Sequence, residues 1–128
     1  MEKIVRVGEY EFSVRSSAAT LLSYRKHFGR DGMKDLLVLV KSFSNKNTKS
    51  EDDADLIVQT LADGSFEIET LYRFIWTFAK SADKTLLPME EWLDNFDVPA
   101  LEFISEVFPQ VSELLFSMAK TNVVPRKK

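Results

Sequence analysis

One stretch constrains this chain more than any other. Between Phe66 and Ala82 the apolar residues Ile68, Leu71, Tyr72, Phe74, Ile75, Trp76, Phe78 and Ala79 recur at helical spacing. At about 100° per residue they cover more than half of the wheel. Glu69, Thr70, Arg73, Thr77, Lys80 and Ser81 are left as a polar strip. A helix this apolar needs neighbours on two sides. The pattern predicts a central helix over 66–82, with Ser65 as its N-cap.

The rest of the chain supplies those neighbours. Ile4, Val5 and Val7 form one β-prone run, and Tyr10, Phe12 and Val14 alternate in a second. Gly8-Glu9 between them suits a two-residue hairpin turn with glycine first. A lone hairpin is marginal in water, so one of its faces must pack on helices. A first helix is expected over 18–28, capped by Ser16 or Ser17 and stopped by Gly29, with Leu21, Tyr24 and Phe28 on one face. Asp31 can cap a second over 33–43, and Asp63-Gly64 can stop a third over 54–62. Pro88 fits the first turn of a short fifth helix carrying Trp92, Leu93 and Phe96. Asp97 can cap a sixth. Pro109 should kink or restart the chain, giving a last helix over 110–120. The expectation is a mostly α fold: an N-terminal β-hairpin (1–15) packed against a bundle of about six or seven helices (16–120), then a frayed basic tail (121–128). There is no internal repeat or linker, so 1–128 reads as a single domain.

Composition narrows the chemistry. With 45% hydrophobic residues, ten of them Phe, 128 residues can bury an aromatic-rich core without staples. The absence of Cys removes disulfides, thiolate chemistry and Cys-based zinc sites. Met1-Glu2-Lys3-Ile4 does not open like a secretory signal. The longest strongly apolar run, Leu36 to Val40, is far short of the ~20 residues that span a bilayer. A net charge of −3 is a poor basis for binding nucleic acid through its phosphates. The second helix, Met33 to Lys41, is too apolar to be a base-reading helix in a helix-turn-helix pair.

Catalytic signals are equally thin. The single histidine, His27, falls on the polar side of the first helix, opposite Ala18 and Leu22, and reads as a surface residue. The acidic run Glu51-Asp52-Asp53-Ala54-Asp55 lacks the ligand spacing and glycine of a calcium loop and reads as a solvated loop that starts a helix favourably. It belongs to the polar stretch from Ser44 to Asp53, the best site for nicking. Gly29-Arg30-Asp31-Gly32 has neither a phosphate-loop nor a dinucleotide spacing. No catalytic residue, cofactor or metal is expected.

Four apolar residues fall where an isolated helix would place polar ones. Val38 lies between Lys34 and Ser42, and Phe116 between Ser112 and Lys120. Phe74 and Trp76 sit at opposite edges of the wide arc of the central helix. Each has two readings, a core residue or an anchor for a protein partner. Arg25 is the converse, a cation on the apolar side of the first helix, which either pairs with an acid across the core or snorkels along the helix.

Tyr10-Glu11-Phe12, Tyr24-Arg25, Phe28-Gly29 and Asp31, then Leu71 to Asp83 (Leu-Tyr-Arg-Phe-Ile-Trp-Thr-Phe-Ala-Lys-Ser-Ala-Asp) and Glu90-Glu91-Trp92-Leu93, together resemble the tail assembly chaperones of long-tailed phages and prophages of Gram-positive bacteria. The resemblance covers most of the chain but rests on packing and capping residues. It implies a non-enzymatic protein of the host bacterial cytoplasm. Such a protein binds the helical tape measure protein, keeps it soluble until tail tube protein replaces it, and works in multiple copies, which allows self-association. It also implies two product lengths made by frameshifting. The end Pro125-Arg126-Lys127-Lys128 reads either as a site near such a slip or as an ordinary basic tail. The competing expectations are another phage structural part, such as a head-tail connector, and a small DNA-binding regulator.

Overall fold

The computed structural model describes residues 1–44 and 53–119. β1 (Glu2–Val7) and β2 (Tyr10–Arg15) form the expected antiparallel hairpin, with Val7 opposite Tyr10, Val5 opposite Phe12 and Lys3 opposite Val14. Gly8 takes φ +57° and Glu9 has no positive φ, the geometry of a turn that needs glycine first. Val5, Val7 and Val14 are buried, while Ile4, Glu9, Glu11 and Ser13 on the other face are exposed. β2 packs on the fourth helix and β1 on the sixth. The outer edge of β1 meets side chains: Arg6 N–H donates to Gln110 Oε1 (3.0 Å), Gln110 Nε2 donates to the Arg6 carbonyl (2.8 Å), and Gly8 N–H donates to Glu106 Oε1 (3.2 Å).

Six helices follow among the described residues: α1 (Thr20–Phe28), α2 (Gly32–Ser44), α3 (Asp53–Ala62), α4 (Ile68–Ala82), α5 (Met89–Leu93) and α6 (Ala100–Ala119). α1 starts two residues later than expected. Ser17 closes a local turn, accepting from Ala19 N–H, and no side chain caps the helix. Gly29, at φ +67°, ends it. Asp31 caps α2 as expected, its Oδ1 accepting from Met33 and Lys34 N–H at 3.0 and 3.2 Å. Gly32 lets the two helices approach: a Cβ there would lie 3.0 Å from Leu21 Cδ2.

α4 is central, packed against β2, α1, α5 and α6. Ser65 does not cap it, because its hydroxyl donates to Asp63 instead. The polar strip of α4 is not a solvated face either. Thr70 and Thr77 are buried, and Thr77 Oγ1 donates to the Arg73 carbonyl (2.7 Å). Helix α6 runs uninterrupted through Pro109, so the restart expected there, with a separate last helix over 110–120, is corrected: 100–119 is one helix. The proline forfeits one hydrogen bond, to the carbonyl four residues back, but its ring faces solvent and flanking packing holds the helix together.

Ring contacts tie these layers. Phe12 meets Trp92 at 5.0 Å and Phe96 at 5.6 Å, fixing the hairpin to the α5 region, and Phe96 meets Phe103 of α6 at 5.0 Å. At the other end Phe43 of α2 stacks on Phe108 of α6 at 4.7 Å. No helix among the described residues is long and apolar enough to cross a membrane. The nickable loop, the acidic run as far as Asp52 and the frayed basic tail, expected from sequence, lie outside the described residues.

Candidate functional site

The strongest chemistry in the molecule is a polar cluster at the junction of α1, α2 and α4. Tyr24 is fully buried, and its hydroxyl donates to Asp35 Oδ2 (2.6 Å). Arg30 reaches the same carboxylate with Nε and Nη2, at 2.7 and 3.0 Å. From α4, Arg73 Nε donates to the Tyr24 oxygen (2.9 Å), and its Nη2 donates to Thr70 Oγ1 (3.1 Å) while lying 3.8 Å from Asp35. The two arginines differ in setting: the side chain of Arg73 is 13% exposed and that of Arg30 is 52% exposed. Burial, reinforced by the bond to Asp35, pushes the Tyr24 phenol up to about 12, against the opposing pull of Arg73. Burial also works to raise Asp35. The hydrogen bonds from Arg30 and Tyr24 and the two guanidinium charges outweigh it and hold the carboxyl below its usual range.

Tyr24 therefore stays protonated and Asp35 ionised across the neutral range, and every group in the cluster has a partner. This arrangement clamps three helices together. It offers no free base, and its tyrosine is sealed from solvent. No group of three or more metal-ligating His, Asp or Glu side chains occurs among the described residues.

The four apolar candidates separate cleanly. Phe74 is fully buried and stacks on Tyr24 at 4.4 Å. Trp76 is buried, and its indole N–H donates to the Leu87 carbonyl (2.8 Å). Both are core residues, because neighbours close over both edges of the wide arc of α4. Phe116 is half-buried against Phe43 and Phe108, at 6.5 and 6.4 Å. Val38 is 42% exposed, and it has company: on the same outward side of α2, Met33 is 40% and Leu37 50% exposed. At 100° per residue Met33 and Leu37 form one edge of that side and Val38 the other, with Lys34 and Lys41 between them. The one acid within α2, Asp35, points inward. α2 thus presents a mixed apolar and cationic face that none of the described elements covers.

His27 is exposed, as expected, with Nδ1 2.9 Å from the Ser23 carbonyl and its ring edge on Trp76 at 4.9 Å. Leu22, expected on the apolar side of α1, faces solvent instead, because Gly32 of α2 seats against Leu21 and Tyr24. Arg25 is also exposed, and the arginine that reaches into the core is Arg73. An open groove of about 350 Å³ lies between the end of α1 and the start of α5, lined by His27, Phe28, Trp76, Lys80, Pro88 and Met89 among others. Lys80 sits 5.8 Å above the Trp76 ring and donates to the Lys84 and Leu86 carbonyls, so its charge is largely committed to the loop. No protein-family model, curated protein or solved structure matches this chain.

Proposed function

We propose that this protein is a non-enzymatic tail assembly chaperone. It binds the tape measure protein in the cytoplasm of the host bacterium and keeps it soluble until tail tube protein polymerises around it. The observation that carries the reading is the outward face of α2, where Met33, Leu37 and Val38 stand exposed beside Lys34 and Lys41. Thirteen helical residues extend about 20 Å, enough to lie along three to four turns of a partner helix. Exposed apolar anchors with adjacent cations are what an amphipathic helix of a long partner would bind. The polar cluster contributes by holding α2 on the core so that this face is presented rigidly. The resemblance noted in the sequence supplies the identity of the partner.

The test is co-expression with the tape measure protein encoded alongside. The expected result is that the tape measure moves into the soluble fraction and co-purifies, and that L37D/V38D abolishes capture while the variant keeps its helical circular dichroism. A tape measure that stays insoluble and never co-purifies with the unaltered chain would sink the reading.

A further inference from the structure

Cations are missing from one long part of this chain. Between Lys84 and Lys120 there is no Lys, Arg or His, and there are seven acids, from Glu90 to Glu113. Where that part passes over α4 it encloses a pocket of about 260 Å³, lined by Tyr72, Asp94, Phe96, Val98 and Phe103 among others. Backbone bonds fix its walls. Asp94 N–H donates to the Glu90 carbonyl (3.0 Å), Phe96 N–H to the Leu93 carbonyl (3.0 Å) and Val98 N–H to the Phe96 carbonyl (2.9 Å). Asp97 N–H reaches the Tyr10 hydroxyl at 3.4 Å. The ring centroids of Phe96 and Phe103 are 5.0 Å apart, and those of Tyr72 and Phe103 are 6.1 Å apart. One pocket thus brings three aromatic rings and a carboxylate together.

Two of its polar groups have no partner among the described residues. The Tyr72 hydroxyl makes no hydrogen bond with one, and the Asp94 side chain makes neither a hydrogen bond nor an ion pair. Burial pushes the Tyr72 phenol up, and the charge of Glu69, three residues back on α4, adds to it. The phenol therefore stays neutral, and its oxygen can accept a hydrogen bond. Arg73, the cation next to Tyr72 in the chain, is committed to Tyr24 and Thr70 instead. Asp97 and Glu102, each beside a lining residue in the chain, are exposed and also lack an ion pair with a described residue. The negative charge here is uncompensated, and the faces of the rings favour a cation as well.

The geometry points to a docking site for one arginine side chain of a partner protein. A planar guanidinium stacks on the rings, gives paired N–H bonds to the Asp94 carboxylate and keeps a donor for the Tyr72 oxygen. A lysine ammonium is a compact, strongly hydrated charge and cannot stack in this way. The methylene stem of the arginine covers Val98 and the other apolar lining. Size selects the source of the guanidinium. Sites for whole small molecules hold roughly 300–1,000 Å³, and this pocket falls below that range, so it takes a side chain rather than a free metabolite. The acids near it attract a cationic segment, and salt weakens that attraction. α2 adds no residue to the pocket, so the inference holds or fails independently of the chaperone reading.

Proton NMR of the full chain, titrated with a blocked pentapeptide that carries one arginine between alanines, tests it. At about 50 mM salt the ring resonances of Tyr72, Phe96 and Phe103 should shift saturably, with a Kd on the order of 1 mM for this single anchor. Nuclear Overhauser contacts should run from the arginine δ-methylene to Phe96 and Phe103. The same peptide with citrulline, which keeps the shape and loses the charge, should bind about tenfold more weakly, and the lysine peptide about threefold more weakly. D94N should weaken binding on the order of tenfold and Y72F about threefold, with circular dichroism unchanged. No saturable shift of these rings up to about 10 mM peptide overturns the proposal. So does a citrulline peptide that matches the arginine one, or a D94N variant that binds like the unaltered chain. A lysine peptide that binds as well overturns the choice of guanidinium. Free arginine that binds more tightly than the peptide overturns the choice of a protein partner.

Discussion

Replacing Asp35 by alanine tests the clamp at its centre. The substitution leaves the buried Tyr24 hydroxyl without its acceptor at 2.6 Å, and leaves the Arg73 guanidinium, 13% exposed, without the carboxylate 3.8 Å away. An unsatisfied buried hydroxyl costs about 1–2 kcal/mol, and a buried cation stripped of its partner costs more. Together they set the expected loss at about 3–4 kcal/mol, or roughly 10–15 °C in Tm for a domain of this size. Arg30 bonds the same carboxylate twice, but it stands half in water and can be rehydrated, so Arg30→Ala should leave the Tm close to that of the unaltered chain. Urea titration followed by tryptophan fluorescence suits the measurement, because Trp76 and Trp92 are both buried. The pH dependence adds a second check. A carboxyl whose folded pKa is depressed contributes stability above its unfolded value, about 3.9, and loses it as pH falls through the folded value. The gap between Asp35→Ala and the unaltered chain should therefore narrow below about pH 4. The reasoning is refuted if Asp35→Ala costs less than about 1 kcal/mol, or if Arg30→Ala destabilises as much.

Three further outcomes are expected. The Tyr24 pKa is raised in the folded state, so its contribution is complete below about pH 10 and lost as pH rises toward about 12; Tyr24→Phe should flatten that part of the stability profile, which is worth about 2–3 kcal/mol in urea titrations. Pro109→Ala should raise stability by about 1–3 kcal/mol, read as a higher Tm, because it restores a helical hydrogen bond at an exposed position of α6; a lower Tm would show that the proline sets a bend the packing needs. Phe74→Ala should cost about 3–5 kcal/mol whereas Val38→Ala changes stability by less than about 0.5 kcal/mol, a contrast that thermal denaturation reads directly.

The parts of this fold that were legible in the sequence are those fixed by local rules. Gly8 announced a turn that only glycine enters readily, Asp31 announced a helix start, and the apolar wheel of 66–82 announced a central helix. What stayed hidden depends on residues far apart in the chain. Asp35 looked like an acid in the first turn of a helix, and Arg73 like one member of a polar strip. No spacing rule joins positions 35, 24 and 73, and only packing places α1 and α2 against that strip. Leu22 and Leu21 are adjacent in sequence, and which of them is covered is decided by Gly32. Pro109 misled because a lost hydrogen bond is a local penalty, whereas the Phe103-to-Leu115 side of α6, anchored on the hairpin, α2 and α3, is a collective gain. Of the exposed apolar face of α2, Val38 was visible as an apolar residue out of place, while Met33 and Leu37 blended into the apolar side of their helix.

The side-chain amide of Gln110 deserves a last inference. By giving and taking a hydrogen bond with the backbone of Arg6, it offers β1 the same donor and acceptor that a neighbouring strand would, and Glu106 engages Gly8 one helical turn away. The turn end of that strand is thus closed to backbone pairing with another chain. A two-stranded sheet with an open flank invites stacking and fibre growth at high concentration. Here the helix that covers the sheet also plugs its flank, so contact with other molecules is left to the helical surfaces.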